Sequence, residues 1–344
     1  MNYTNTNNTL KIVLSVGDES GIGPEIILKA LYSKEIPENI DITVVGSKKN
    51  LQNTFNHLKS LGLTNISDPK NLKIHDLEIS LSEKKSKSSF GNSSFYYLTK
   101  AIEIVKQHPN SALVTGPICK KSWSLAGHYF SGQTEVLAKS CGAKNVGMLF
   151  TAKSPITGWR FNTLLATTHI ALCDVPKKLN AELIHSKLDL FKDFCTTYIA
   201  KPTFKVAGLN PHAGEDGILG NEEKDWLNDA LNSWSNKNRD IKLLGPLSPD
   251  SCWNSSAKAW RKKDAEKHDG ILAMYHDQGL IPMKVIALNY SVNTTIGLPF
   301  IRTSPDHGTG FDIAGKGIAQ SQSMIEAIKA AVEMTNNSRL FNTH

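Results

Sequence analysis

The sequence predicts an α/β protein built from two α/β/α domains that flank a cleft. Short apolar runs bounded by turn residues alternate with segments of helical periodicity through most of the chain, which is typical of parallel α/β construction. The length of 344 residues indicates two domains, because a single domain usually takes roughly 100–200 residues. We assign residues 1–118 plus 300–344 to the first domain and residues 119–299 to the second.

The first part of the chain contains four apolar runs that predict strands. They are KIVLSV at 11–16, DITVVG at 41–46, NLKIHDL at 71–77 and SALVTG at 111–116. Helices are expected from Pro24, near 48–60 and at 93–107. The polar segment 82–94 is predicted to be a solvated loop that ends in a helix N-cap at Asn92 or Ser93.

Four later runs share one form, in which an apolar strand leads into a polar loop that contains Gly or His. They are FNTLLATTHI at 161–170, TFKVAGLNP at 203–211, IKLLGP at 241–246 and GILAMYH at 270–276. Ligands of open α/β sheets bind outside the carboxyl ends of the strands, so these loops are candidate site segments. A long helix is predicted after Asp174, and a C-terminal helix at about 320–336 is predicted to pack on the first sheet.

The composition excludes several classes of protein. No apolar run approaches the ~18 residues that a membrane span needs, and the polar N-terminus lacks the apolar core of a secretory signal, so we expect a cytoplasmic protein with no membrane partner. The net charge is +7, but the Lys and Arg residues are dispersed and only 8% of residues are aromatic. A small anionic substrate therefore fits the charge, and nucleic acid is not an expected partner.

Three histidines stand at or just after predicted strand ends: His169, His212 and His276. Neutral imidazoles from three loops can converge on one divalent cation and leave a coordination position open. Each one alone is more often a hydrogen-bonding loop residue, because the spacing matches no compact metal motif. Asp277 either orients His276 or caps the helix that follows.

Two glycine-rich loops are candidates for nucleotide binding. GDESGIGPE at 17–25 lacks the spacing of both the dinucleotide fingerprint and the phosphate loop, so a tight turn explains it equally well. In HGTGFDIAGKGIA at 307–319, Asp312 stands among glycines that include Gly308 and Gly315. A carboxylate that accepts from a ribose diol favours NAD over NADP, and a flexible turn is the alternative.

Three polar side chains in otherwise apolar surroundings, and a fourth at a predicted helix start, are candidates for binding an anion. Lys284 and Arg302 can hold a phosphate or carboxylate by charge-assisted hydrogen bonds, and Asn293 lies between them in the sequence. Thr134 can contribute at a helix N-terminus. The alternatives are surface residues whose stems lie on apolar groups, and a simple helix cap at Thr134.

Taken together, these segments resemble the 4-hydroxythreonine-4-phosphate dehydrogenase family of pyridoxal phosphate biosynthesis. The resemblance rests on eight blocks that occur in order over about residues 11–335. They are GDESGIGPE, TGPICKKS, GQTEVLA, TTHIALCDVP, GLNPHAGEDG, GPLSPDS, YHDQGLIPMK and VNTTIGLPFIRTSPDHGTGFDIAGKG. The last block also resembles the adenosine loop of isocitrate and isopropylmalate dehydrogenases, whose fold that family shares.

This resemblance implies roles for the candidate residues. His169, His212 and His276 are expected to bind a divalent metal, Zn, Mg or Co, at an active site that two subunits of a homodimer share. Lys284, Asn293 and Arg302 are expected to bind the phosphorylated substrate together with Gln133 and Thr134. Gly308, Asp312 and Gly315 are expected to bind NAD, with NADP as the alternative. The family usually has His at the position of Gln133, and glutamine cannot carry a positive charge.

The implied reaction is hydride transfer from a secondary alcohol to NAD, followed by loss of carbon dioxide from the β-keto acid. For 4-hydroxythreonine 4-phosphate the product is 3-amino-2-oxopropyl phosphate. Asp250, Asp277 and Lys284 are the candidate proton acceptors, with Asp250 preferred and Lys284 kept as a second catalytic candidate. The alternatives are a dehydrogenase of four-carbon acid-sugar phosphates such as threonate or erythronate 4-phosphate and, from another class, a phosphate acyltransferase.

Overall fold

The computed structural model describes residues 9–77 and 86–340. The first part of the described chain alternates strands with helices, as the sequence predicts. Its elements are β1 (Leu10–Ser15), α1 (Gly23–Tyr32), β2 (Ile40–Gly46), α2 (Lys48–Ser60), β3 (Lys73–Asp76), α3 (Lys87–Lys106), β4 (Ser111–Thr115), α4 (Lys120–Leu125) and α5 (Gln133–Cys141).

The second part continues this alternation and contains three strands that were not predicted, β5, β10 and β11. Its elements are β5 (Gly147–Lys153), β6 (Arg160–Leu165), α6 (Val175–Lys178), α7 (Ala181–Thr196), β7 (Thr203–Ala207), α8 (Asn228–Lys237), β8 (Lys242–Leu247), α9 (Asn254–Arg261), β9 (Gly270–Ala273), α10 (His276–Ile286), β10 (Val292–Ile296), β11 (Ile301–Pro305) and α11 (Gln322–Leu340). None of the helices in residues 9–77 and 86–340 is long and apolar enough to cross a bilayer.

The first of two compact units contains the described residues up to Lys144 together with Leu298–Arg339. Its strands lie in the order β3-β2-β1-β4-β11, and every pairing is parallel. The predicted C-terminal helix packs on this sheet, where Thr303 Oγ1 of β11 donates to the Ala327 carbonyl oxygen of α11 at 2.8 Å. The predicted apolar stripe of α11 is buried; it comprises Met324, Ile325, Ile328, Ala331 and Val332.

The second compact unit contains Asn145–Gly297. Its strands lie in the order β10-β5-β6-β9-β7-β8, with β5 antiparallel to both of its neighbours and the remaining pairings parallel. The α/β class is confirmed, and most pairings are parallel as expected; β5, which was not predicted, is the antiparallel exception. Only the turn at 154–159 joins β5 to β6, and so short a connection permits only antiparallel pairing. Residues 119–144, assigned above to the second domain, belong to the first unit.

Helix α3 begins earlier than predicted, so residues 87–94 are helical rather than part of a loop. Ser86 is the N-cap: its side chain accepts from Ser89 N at 3.2 Å, and Ser89 Oγ accepts from Ser86 N at 2.9 Å. This reciprocal capping box satisfies two backbone N–H groups, so the serine-rich composition initiates the helix instead of preventing it. The predicted caps at Asn92 and Ser93 are therefore wrong, and residues 82–85 lie outside the described chain.

The long helix predicted after Asp174 is divided into α6 and α7. Leu179 leaves the helical conformation, with φ at −73° and ψ at 132°. Asn180 then caps α7 by accepting from Leu183 N at 2.9 Å. An Asn that bonds the backbone in this way favours a new helix start over continuation of the old helix.

A buried histidine lies in the core of the second unit. His268 is 1% exposed, and its Nε2 forms a hydrogen bond with Ser256 Oγ at 2.8 Å. Burial, with a smaller contribution from the Lys205 ammonium, lowers the pKa of His268 from 6.5 to about 3. The folded protein therefore holds this imidazole neutral where the unfolded chain binds a proton.

We expect His268 to make stability depend on pH. Because the pKa is depressed in the folded state, the contribution is complete above pH 6.5 and is lost as pH falls towards 3. At pH 5 the loss amounts to about 2 kcal/mol. Urea unfolding at pH 7.5 and pH 5 should show a smaller pH effect for His268→Gln than for the wild type, while the exposed control His108→Gln follows the wild type. An equal pH effect in all three proteins would contradict this assignment.

Candidate functional site

Two of the three candidate metal ligands lie side by side in the second unit. His169 follows β6 and His276 follows β9, and these neighbouring parallel strands bring their carboxyl ends together. The two ring centroids are 5.4 Å apart. His276 Nδ1 donates to Asp277 Oδ1 at 2.7 Å, since an ionised carboxylate can only accept. With the proton on Nδ1, this bond leaves the lone pair of His276 Nε2 available to a cation, which fits an orienting role for Asp277.

A cavity of about 250 Å³ adjoins these two imidazoles. Its lining combines polar and apolar side chains: Thr168, His169, Ile170, Leu172, Val175, Tyr275, His276 and Asp277. Both imidazoles are at least partly exposed, so a cation can reach them from solvent. The donor set of two neutral imidazoles with an oriented ring fits Zn²⁺ and similar divalent cations.

His212 lies on a loop with an uncommon backbone. The loop follows β7, and five consecutive residues from His212 to Asp216 have positive φ, between 44° and 82°. Only one of the five is a glycine, Gly214, and a left-handed conformation costs other residues roughly 1–2 kcal/mol each. Such a run persists only where the surrounding structure holds it, and runs of this kind concentrate at functional sites.

Glu223 holds the segment from which this loop departs. Its carboxylate is 3% exposed, and Oε1 accepts from the backbone N–H groups of Leu209 and Asn210 at 2.7 and 2.8 Å. Its other oxygen accepts from Asn210 Nδ2 at 2.8 Å. The loop also lies close to Glu223 at Gly214, where an added Cβ would be 3.0 Å from Glu223 Oε2. Three charge-assisted hydrogen bonds therefore fix the two residues that precede Pro211 and His212.

His212 is not grouped with the other two histidines inside one copy of the chain. Among residues 9–77 and 86–340, no three His, Cys, Asp or Glu side chains converge in a metal-binding arrangement. Asp250, the preferred proton acceptor, is close enough to His212 to be influenced by it electrostatically. The Ser248 hydroxyl, 2.5 Å from Asp250 Oδ1, lowers the pKa of Asp250, and His212 contributes further in the same direction. Asp250 is thus ionised near neutral pH, but it is a weak base.

Several exposed apolar side chains lie near the histidines of the second unit in the sequence. Ile170 and Leu172 follow His169, and Ile218 follows the His212 loop. Ile281, Val285 and Leu288 project from α10 and its end. Clusters of exposed large apolar residues usually mark contact surfaces with another protein.

The candidate phosphate ligand Arg302 lies in the first unit, on β11. It is 3% exposed, and burial lowers its pKa to about 10. Its guanidinium donates to Thr115 Oγ1 at 2.7 Å and to Gln133 Oε1 at 3.0 Å. The structure therefore brings together Gln133 and Arg302, two of the predicted substrate-binding residues.

The remaining substrate candidates are distributed over both units. Thr134 is in the first turn of α5, where the N-cap is Gly132 and no side chain caps the helix. In the second unit, Lys284 is exposed in the last turn of α10. Asn293 lies on β10, and within the described chain its buried Oδ1 has no hydrogen-bond partner. An unsatisfied buried amide oxygen and the free N–H groups of a helix start are both suited to a polar ligand.

The candidate nucleotide loop of the first unit is built on glycines and is held by α1. Gly310, Gly315 and Gly317 have positive φ, and Asp312 is exposed between them. Nothing lies within 4 Å of a Cβ built on Gly308, so the backbone there is open to a ligand. These features fit a nucleotide approaching the backbone, with Asp312 able to accept from a ribose hydroxyl.

Two residues of α1, Lys29 and Glu25, form hydrogen bonds with this loop. Lys29 Nζ donates to the carbonyl oxygens of Gly317 and Ala319 at 2.9 and 2.8 Å and to Glu25 Oε1 at 2.7 Å. Glu25 Oε1 also accepts from Ala319 N at 2.9 Å. The GDESGIGPE segment leads into α1. This glycine-rich segment also packs against the candidate nucleotide loop.

Sequence reasoning missed three supporting residues, Glu223, Lys29 and Thr115. Glu223 and Lys29 each contact the loop that carries a candidate site residue, and Thr115 contacts Arg302 directly. Thr115 begins the TGPICKKS block, but its contact with Arg302 is remote in sequence. One signal was present for Glu223, which stands in an EEKDW segment rich in charge and yet is buried. A charged side chain that folds inward usually holds a partner.

Comparisons with known proteins place the chain among enzymes of one kind. The model of the family described as pyridoxal phosphate biosynthetic protein PdxA matches residues 38–331. The 4-hydroxythreonine-4-phosphate dehydrogenase of Synechococcus sp. (strain RCC307) is 46% identical, covering 94% of this chain and 99% of its own. The crystal structure of the Klebsiella pneumoniae enzyme of that name has a TM-score of 0.79 at 30% identity, covering 95% and 98% of the two chains. That from Burkholderia phymatum has a TM-score of 0.74 at 28% identity, covering 94% and 98%.

Replacing Glu223 should weaken metal binding through the His212 loop. Glu223→Gln places an amide NH₂ against N–H donors, so at least one of the three hydrogen bonds is lost. We expect the Zn²⁺ dissociation constant, measured by calorimetry, to rise about 10–100-fold. Amide hydrogen exchange at Leu209 and Asn210 should also become faster.

Glu222→Gln is the matched control, because Glu222 contacts only the side chain of Asn210 in this loop, at 2.7 Å. Its amide oxygen can still accept that hydrogen bond, so its Zn²⁺ affinity should stay within about threefold of the wild type. Unchanged affinity and exchange in Glu223→Gln would show that the loop does not need this carboxylate.

Proposed function

Because this chain belongs to the pyridoxal phosphate biosynthetic PdxA family, we propose that it oxidises 4-hydroxythreonine 4-phosphate with NAD. A hydride passes from the carbinol carbon to the nicotinamide ring, and the hydroxyl proton passes to a base. The β-keto acid that results loses carbon dioxide, and protonation of the remaining carbon gives 3-amino-2-oxopropyl phosphate. The observation that carries this proposal is the 46% identity to a named dehydrogenase over nearly the whole chain.

We assign substrate binding to Arg302, Thr134, Lys284 and Asn293. Arg302 offers a fixed guanidinium for the phosphate, and charge-assisted hydrogen bonds are roughly twice as strong as neutral ones. Thr134 adds a hydroxyl at a helix start, where backbone N–H groups attract anions. The unsatisfied Oδ1 of Asn293 suits the substrate's ammonium or hydroxyl group, and the exposed Lys284 suits its carboxylate.

We assign the divalent cation to His169 and His276 of one subunit and His212 of a second copy in a homodimer. The adjacency of the first two rings and the lack of a three-ligand cluster among the described residues of one chain support this division. The exposed apolar residues close to all three histidines in the sequence support a subunit contact there. A bound divalent cation supplies Lewis-acid chemistry: it polarises the substrate hydroxyl and stabilises the negative charge that develops during decarboxylation.

We assign the remaining roles, which are orientation, proton transfer and cofactor selection, to side chains of this protein. Asp277 keeps the proton of His276 on Nδ1, which would leave Nε2 to hold the cation. Asp250, ionised and exposed, is the proposed proton acceptor, and its low pKa suffices only for a hydroxyl that is already acidified. Lys284 is the alternative proton donor or acceptor near the carboxylate. Asp312 selects NAD by accepting from the ribose diol, where the phosphate of NADP would be repelled.

The direct experiment is to follow NAD reduction by the purified protein with Zn²⁺, Mg²⁺ or Co²⁺ present. We expect turnover with 4-hydroxythreonine 4-phosphate and much slower turnover with threonate or erythronate 4-phosphate. Preference for the four-carbon acids would replace the proposed substrate. Activity that needs neither NAD nor metal would indicate a phosphate acyltransferase instead.

The predicted cytoplasmic location stays a prediction.

Removing the His212 imidazole should abolish metal binding without unfolding the protein. Alanine tolerates the position, because the neighbouring Ala213 already has a φ of 54°, close to the 52° of His212. We expect His212→Ala to lower kcat and Zn²⁺ affinity by more than about 100-fold. The metal-free melting temperature should match that of the control His108→Ala, whose imidazole is exposed in the first unit. Wild-type turnover at low metal concentration would refute the ligand assignment.

A further inference from the structure

Two of the groups that hold the buried guanidinium of Arg302 are neutral oxygen atoms. Thr115 Oγ1 accepts from its Nη2 at 2.7 Å, and Gln133 Oε1 accepts from the same nitrogen at 3.0 Å. A carboxylate at either position would form a buried ion pair and offset the positive charge. A hydroxyl and an amide fix the guanidinium while adding no negative charge.

The other end of the Gln133 amide is anchored to rigid backbone. Gln133 Nε2 donates to the carbonyl oxygen of Gly116 at 3.0 Å. A Cβ on Gly116 would lie only 2.2 Å from the carbonyl oxygen of Val16, so this backbone is closely packed against the end of β1. Asp18 N donates to the Pro117 carbonyl oxygen at 2.9 Å and fixes the segment further.

These two contacts determine the orientation of the amide. A carbonyl oxygen such as that of Gly116 needs a donor, and a guanidinium needs an acceptor. Only one arrangement of the Gln133 amide satisfies both, with Nε2 towards Gly116 and Oε1 towards Arg302. The Gln133 side chain therefore fixes the Arg302 guanidinium relative to the Gly116 backbone.

We propose that Gln133 is a positioning residue for Arg302 and not itself a ligand of the substrate phosphate. It fixes the guanidinium through a neutral amide, which adds no negative charge of its own. This inference rests on the proposed function, in which Arg302 binds the phosphate. It also explains how glutamine can occupy a position where the family usually has His, since a neutral imidazole likewise offers one donor and one acceptor.

A double-mutant cycle tests this inference with the substrate that the wild type oxidises. Gln133→Leu should raise KM for the phosphorylated substrate about tenfold, as expected for a lost hydrogen bond to a charged group, and leave KM for NAD unchanged. In an Arg302→Met background, Gln133→Leu should add less than about a twofold effect, because its action passes through Arg302. Additive effects would mean that Gln133 contacts the substrate directly and would overturn the inference.

Two further variants sharpen the result. Thr115 is 0% exposed and reaches Arg302 from a second direction, so Thr115→Val should raise the same KM selectively and also be silent in the Arg302→Met background. At pH 8 a neutral imidazole should replace the amide, so Gln133→His should restore KM to within about threefold of the wild type. A Gln133→His protein as impaired as Gln133→Leu would contradict the positioning role.

The outcomes for the inference and for the proposed function are distinguishable. Failure of the wild type to oxidise any phosphorylated hydroxy acid would contradict the proposed function. The same cycle can then be run with inorganic phosphate, with dissociation constants measured by calorimetry. Non-additive effects of Gln133→Leu and Arg302→Met on phosphate binding would support the inference in that case, and additive effects would overturn it.

Discussion

The hydrogen bonds of one buried carboxylate govern the most unusual part of the molecule. Glu223 accepts from two backbone N–H groups and one amide, just before a run of five positive φ angles that carries His212. Four of those residues are not glycine, and their strain of roughly 1–2 kcal/mol each must be offset by the contacts around them. A loop held in this way presents its imidazole in one direction, which is what a metal ligand requires.

Hydrogen bonds from supporting polar side chains also fix the other candidate site residues of the chain. Asp277 orients His276, the Thr115 and Gln133 oxygens orient Arg302, and Lys29 with Glu25 supports the loop of Asp312. In each case a polar side chain forms hydrogen bonds with the candidate residue or with the loop that carries it. Supporting contacts of this kind commonly change affinity or activity 10–100-fold, although they never touch the substrate.

Much of this arrangement is predictable from the sequence, and the remainder has physical causes. The strand at 11–16 and the three histidines after apolar runs are visible because burial and loop chemistry leave local patterns. The antiparallel strand β5 was missed, since its pairing depends on a short turn rather than on its own residues. The predicted start of helix α3 was too late, because its serine capping box resembles a polar loop. The contacts of Glu223, Lys29 and Thr115 are tertiary, and no local pattern encodes them.

The central claim is that imidazoles from two copies of the chain hold one cation, and co-expression of His212→Ala with His169→Ala tests it most directly. If His212 of one subunit completes the site of the other, each mixed dimer regains one intact site. Statistical pairing then predicts about a quarter of wild-type activity and metal content from two individually inactive proteins. No recovery in isolated mixed dimers would show that each site takes all its histidines from a single chain, and would contradict the claim.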